Sequence, residues 1–107
     1  MLDAQFKNNE EINEIVKIIL NAVPALEIYI FGSFANGTAR EDSDYDFYVV
    51  IPDGLQPIET TWKITGSIRN RTRAIDMLVG TKSKFDKYKN VYSIEKEAAQ
   101  KGVKLYG

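Results

Sequence analysis

Cysteine and histidine are both absent from the 107-residue sequence. Without cysteine there is no disulfide scaffold, no thiol nucleophile and no thiolate metal site. Without histidine there is no imidazole base, and most transition-metal sites are excluded. No apolar run approaches the ~20 residues of a membrane span. The N-terminal MLDAQFKNNEE lacks the basic-then-apolar order of a secretion signal. The expectation is a cytoplasmic protein with no membrane partner. A dominant charge is missing too: 14 Lys plus Arg against 15 Asp plus Glu leaves −1, which gives no global pull toward nucleic acid.

What is present is enough for a core. Apolar residues are 44% and charged residues 27%, the profile of one folded domain spanning residues 1–107. Carboxylates are the only strong metal ligands left, and they favour hard ions, Mg²⁺ or Mn²⁺, which usually serve phosphate chemistry.

Ile12, Ile15, Val16, Ile19, Leu20 and Val23 recur at helical spacing, with Asn8 and Glu11 as a capping pair and Pro24 as the stop. Residues 26–31 read as a buried strand ending at Gly32. Residues 33–43 read as a helical turn and loop. Residues 44–51 form a second strand, with Tyr45, Phe47, Val49 and Ile51 on one face and Asp44, Asp46, Tyr48 and Val50 on the other. Pro57 opens a helix carrying Ile58, Trp62, Thr65 and Ile68, with Trp62 expected in the core. Residues 74–79 form a third strand closed by Gly80. Ser83 with Asp86 is expected to cap a helix to about Lys89, Ser93 to cap another that stops at Gly102, and residues 103–106 to form a last strand. This order predicts an α+β fold, a small mixed β-sheet flanked by helices.

Strand alternation places Asp44 and Asp46 on one face, with Cα atoms roughly 6.5–7 Å apart. Two Mg²⁺ ions ~3.5–4 Å apart are the usual device for in-line displacement at phosphorus. Asp76 interrupts the apolar run Ile75, Met77, Leu78, Val79, where an unpaired buried carboxylate is costly. If its strand neighbours residues 44–51, Asp76 faces the other two; the competing reading pairs it with Arg73 or Lys82. Gly32 and Ser33, after the first strand, offer backbone N–H groups and a hydroxyl to a triphosphate, or form an ordinary turn. Ser43 likewise either joins the site or caps a turn. Asp42, Asp44 and Asp46 also resemble the start of a calcium loop, but Phe47 stands where that loop needs Gly and Asp53 where it needs Glu. Eight basic residues between Lys63 and Lys89 read as a solvated face in preference to a nucleic-acid groove, because Arg69 to Arg73 lack interleaved aromatics; a partner surface is the other reading.

Gly32-Ser33 followed by Ser43-Asp44-Tyr45-Asp46, within IFGSFANGTAREDSDYDFYVV, resembles the signature of the nucleotidyltransferase superfamily that includes DNA polymerase beta. Asp76 resembles its third carboxylate, and EKEAAQKGVKLYG resembles the C-terminal end of the minimal nucleotidyltransferases. Asn36 and Phe47 depart from the pattern, where many members carry Arg and Leu. The resemblance implies that Asp44, Asp46 and Asp76 are catalytic and hold the metals, most simply two Mg²⁺. Gly32, Ser33 and Ser43 would hold ATP or another nucleoside triphosphate. The implied reaction is transfer of a nucleoside monophosphate to a hydroxyl acceptor. Superfamily members that modify antibiotics or RNA usually carry an acceptor-binding domain, whereas minimal members are paired with HEPN-type helical toxins. The resemblance therefore implies such a partner protein, nucleotidylated by this chain. The alternative is a non-catalytic nucleotide-binding antitoxin that neutralises its partner by complex formation.

Overall fold

Asn9 opens the first helix because its side chain accepts the Ile12 N–H at 3.0 Å, satisfying a donor that no helical carbonyl can reach. In the structure, a computed structural model that describes residues 9–40, 42–69 and 73–107, this helix is α1 (Glu10–Ala22). The expected cap, Asn8, lies outside the described residues; the observed cap is one position later. Glu11 accepts a hydrogen bond from the Tyr45 hydroxyl at 2.6 Å and so ties α1 to the sheet. Val23, ahead of Pro24, is already extended.

The chain continues as β1 (Glu27–Phe31), α2 (Ser33–Asn36), β2 (Tyr45–Ile51), α3 (Pro57–Ser67), β3 (Ile75–Thr81), α4 (Lys82–Tyr88), α5 (Ile94–Lys96) and β4 (Val103–Tyr106). A π-helical turn over Glu97–Lys101 extends α5 to Gly102. The sheet order is β3-β2-β1-β4; β2 and β3 are parallel, and β1 is antiparallel to both β2 and β4. The expected α+β fold with a mixed four-strand sheet is therefore observed. A parallel pair needs a long crossover, which α3 supplies.

The alternation in β2 divides the core. Tyr45, Phe47, Val49 and Ile51 pack under Ile12, Ile15, Val16 and Ile19 of α1 and Ile64 of α3. Tyr48 and Val50 face the opposite side, with Tyr29, Phe31, Phe85 and Ala98. Each face carries a helical layer, and Asp46 shares its face with Tyr48.

Three local expectations are corrected. Trp62 is 68% exposed and Ile58 66%, because α3 buries Thr60 and Ile64 and the following Ile68, spaced four apart, and positions 58 and 62 lie about 200° around the helix from Thr60. The threonine conceals the buried stripe, since its hydroxyl bonds the Gln56 carbonyl at 2.8 Å. The cap of α4 is Thr81, whose side chain accepts from Lys84 N–H. Ser83 instead bonds Asp53 through both N–H and hydroxyl, and Asp86 pairs with Lys82 and Lys89. Ser93 does cap α5, accepting from Lys96 N–H at 3.1 Å.

The third correction concerns Gly80, which lies inside β3 and does not close it. A Cβ there would stand 2.0 Å from the Tyr48 hydroxyl oxygen and 2.9 Å from its Cζ. That hydroxyl is buried and donates to Glu95 at 2.8 Å, so it has no free direction of retreat. Gly80→Ala is expected to lose about 1–3 kcal/mol of stability by overpacking; urea unfolding that matches wild type would contradict this packing.

Candidate active site

The end of the sheet where β1 stops and β2 and β3 begin is defined by register. Phe31 pairs with Asp46, and Asp46 pairs with Asp76 across the parallel ladder. Asp46 is thus central, with Asp76 on one side and, on the other, the chain leaving β1 through Gly32 into α2. The two strands predicted to be neighbours are neighbours, and their carboxylates meet.

The meeting has an electrostatic cost. Partial burial, a hydrogen bond to Asp76 and the negative charges of Asp76 and Asp44 push the Asp46 carboxyl up to about 6. Asp44 is exposed and precedes the first ladder residue of β2, so the sheet does not hold its side chain. Among the described residues no three acidic side chains form a ready-made metal cage. The expected convergence is therefore a close Asp46–Asp76 pair with Asp44 at its edge. Asp76 is exposed, not buried among the apolar residues of its strand, because the flanking Ile75 and Met77 point to the opposite face. The alternative that paired it with Lys82 fails, since Lys82 bonds Glu27 at 2.9 Å and Asp86 at 3.1 Å.

A carboxyl held above its unfolded pKa makes folding favour acid. Asp46 binds its proton more tightly in the folded chain, so its contribution to stability is greatest below about pH 4 and is lost as pH rises through about 6. With chelator present, Asp46→Asn is expected to stabilise the protein by about 1 kcal/mol near pH 7, after discounting for solvent screening, and by almost nothing near pH 4. Paired thermal melts of the two proteins at both pH values test this; a variant less stable at the higher pH would refute it.

Gly32 makes the close approach possible. Its φ is 73° and ψ −148°, and a Cβ would lie 2.4 Å from Asp46 Oδ2. Its carbonyl accepts from Ala35 and Asn36 N–H at 3.1 and 3.2 Å. The N–H groups of Ser33 and Phe34 precede these first helical bonds, which in a helix leaves them to face outward. Gly37, in a left-handed conformation, closes α2.

The loop from α2 to β2 is closed around Ser43. Its hydroxyl accepts from Arg40 N–H at 2.7 Å, and its own N–H donates to the Arg40 carbonyl at 3.1 Å. These two bonds hold Ser43 in the turn. Arg73 enters here although the sequence offered it only as a counterion for Asp76. One guanidinium nitrogen donates to the Arg40 carbonyl at 2.7 Å and the Ser43 carbonyl at 3.1 Å. An arginine two residues before a strand gives no sequence signal for that role.

The carboxylates stand on an open sheet end. Two concavities, of about 510 and 490 Å³, are lined around Glu10, Glu14 and Arg69 and around Tyr92, Lys96 and Gln100, and neither includes Asp44, Asp46 or Asp76. Among the described residues no helix is long and apolar enough to cross a membrane.

A protein adenylyltransferase, MntA, of Shewanella oneidensis is 32% identical over 69 residues, covering 61% of this chain and 50% of that protein. The chain therefore spans about half the length of that curated relative. A crystal structure of a toxin-antitoxin with AMP-PNP superposes with a TM-score of 0.60 at 25% identity, covering 89% of this chain and 72% of that one. A protein from Sulfolobus solfataricus described as a nucleotidyltransferase shares the fold, with a TM-score of 0.63 at 23% identity over 94% of this chain and 80% of its own. The family model of the nucleotidyltransferase domain matches residues 12–104. That match spans most of the sequence and contains both carboxylate strands, and the chain belongs to the nucleotidyltransferase domain family.

Proposed function

We propose that this chain transfers an adenylyl group from ATP to a hydroxyl of a separate, HEPN-type helical partner protein. The observation that carries the reading is the in-register Asp46–Asp76 pair set against Gly32 at the open end of the sheet. The adenylyltransferase name of one relative supports adenine as the base, as does the AMP-PNP of the similar toxin-antitoxin structure, which also supports a toxin as the acceptor.

The donor set fits a hard divalent cation. Three carboxylates supply only oxygen ligands, and the raised Asp46 marks negative charge that a cation would offset. Asp44 and Asp46, with Asp76 completing the set, would hold Mg²⁺, which when bound neutralises phosphate charge and polarises the reacting phosphoryl group. The outward N–H groups of Ser33 and Phe34 and the Ser33 hydroxyl would bind triphosphate oxygens, and Gly32 lets the phosphates approach the backbone. The acceptor oxygen attacks the α-phosphorus, the bond from that phosphorus to the bridging oxygen breaks, and pyrophosphate leaves. Alternatively Asp76, exposed and hydrogen-bonded to Asp46, would take the proton of the acceptor hydroxyl.

The test is co-expression with the product of the adjacent gene, followed by intact mass of that partner and incubation with ATP labelled at the α- or the γ-phosphate. Transfer of α-label alone, with a mass gain of one adenylyl group, supports the reading. γ-label on the partner, or stable binding with no label, overturns it, and the second result would establish neutralisation by complex formation.

A further inference from the structure

We infer that Arg73 is a positioning residue that fixes Asp44 for metal binding by clamping the loop between α2 and β2. The inference rests on the proposed role of Asp44, and it deepens that reading by naming what holds the one carboxylate the sheet leaves unsupported.

Asp44 lies between two residues whose backbone groups are both held from the approach to β3. The Ser43 carbonyl accepts from Arg73 at 3.1 Å, and the Tyr45 N–H donates to the Ala74 carbonyl at 3.0 Å. Consecutive residues, Arg73 and Ala74, thus fix the backbone on either side of Asp44, and Asp76 follows two positions later. The same guanidinium nitrogen reaches the Arg40 carbonyl at 2.7 Å, bridging both ends of the turn that Ser43 closes.

The aromatic contacts extend the clamp to α2. The Arg73 guanidinium carbon lies 5.0 Å from the centroid of Phe34 and 5.8 Å from that of Tyr45, whose rings are 4.7 Å apart. Phe34 follows Ser33 in α2, and Tyr45 follows Asp44. One planar cation therefore joins the phosphate-side helix, the loop, and the starts of β2 and β3. A lysine supplies a point charge but no planar fork that can bond carbonyls while lying over a ring.

The experiment compares wild type with Arg73→Ala and Arg73→Lys in the full chain, using Mn²⁺ as a spectroscopic probe of the cation site. Mn²⁺ affinity is expected to fall about 10-fold or more in Arg73→Ala, as for other residues that orient metal ligands, with little recovery in Arg73→Lys. Amide hydrogen exchange in metal-free protein should rise across residues 38–45, with α1 and β4 unchanged. With transfer assayed on the partner, kcat should drop roughly 10- to 100-fold while KM for ATP changes little. Should Arg73→Ala fail to fold, Arg73→Lys carries the same measurements. Wild-type Mn²⁺ affinity with unchanged exchange in the loop overturns the inference. A raised KM with kcat preserved also overturns it, since that would make Arg73 a direct nucleotide contact. If wild type transfers nothing, the proposed activity fails, while Mn²⁺ binding and exchange still decide the role of Arg73.

Discussion

On the proposed mechanism, Asp46→Asn is expected to reduce adenylyl transfer by about 10³-fold or more, with Asp44→Asn close behind, because losing a ligand of the proposed cation would remove several kcal/mol of transition-state stabilisation. Asp46 is the residue on which the site converges: it pairs with Asp76, feels the charge of Asp44 and fills the space a side chain at residue 32 would need. The usual objection to such a variant is that inactivity reports unfolding. Here the expectations run in opposite directions. Asparagine removes a charge that the folded protein holds at a cost, so the inactive variant should melt at or above the wild-type temperature near neutral pH without added cation, by roughly 1 kcal/mol. Excess Mg²⁺ should reverse that order, since on the proposed mechanism it would bind and stabilise wild type far better than the variant. A variant that is stable, folded and within about threefold of the wild-type rate would show that Asp46 carries no reacting charge, a difference of only ~0.7 kcal/mol.

The Asp46–Asp76 pair was readable because its placement depends on strand period and on one strand pairing. Alternation puts Asp44 and Asp46 on the face opposite Tyr45 and Phe47, and the only long-range assumption, that the strand of Asp76 lies beside it, follows from two apolar strands joined by a helix. The details that escaped are those decided by partners distant in sequence. Trp62 looks like core until the sheet selects which stripe of α3 it covers, that of Thr60 and Ile64. Gly80 looks like a strand terminator because the sequence does not show that Tyr48 occupies its side-chain space. Thr81 rather than Ser83 caps α4 because Ser83 is taken by Asp53, thirty positions away. Asp76 reads as a buried charge because its neighbours are apolar, yet they face the opposite side and leave it in solvent. Arg73 spans a sequence separation of 30 and more to reach backbone carbonyls, which no side-chain pattern encodes.

Gly32→Ala should be the most damaging single substitution in the glycines of the site end, through two separable effects. The first is conformational: φ 73° with ψ −148° is a region that residues with a Cβ occupy at a cost of about 1–3 kcal/mol. The second is steric: the added carbon would stand 2.4 Å from Asp46 Oδ2 and 3.3 Å from its Cγ, so the carboxylate must leave the position where it meets Asp76. Stability should fall by about 2 kcal/mol, and transfer should fall nearly as far as in Asp46→Asn, on the order of 10²–10³-fold. Gly37→Ala separates the effects, since its φ of 81° is also left-handed but no atom lies within 4 Å of the added carbon. It should cost about 1 kcal/mol and retain transfer. A double-mutant cycle isolates the steric part: in an Asp46→Ala background the collision vanishes while the backbone strain stays. Gly32→Ala should then cost about 1 kcal/mol less than in wild type. Equal costs in the two backgrounds would mean that Gly32 serves the turn alone, and the close packing of residue 32 on Asp46 would have no energetic consequence.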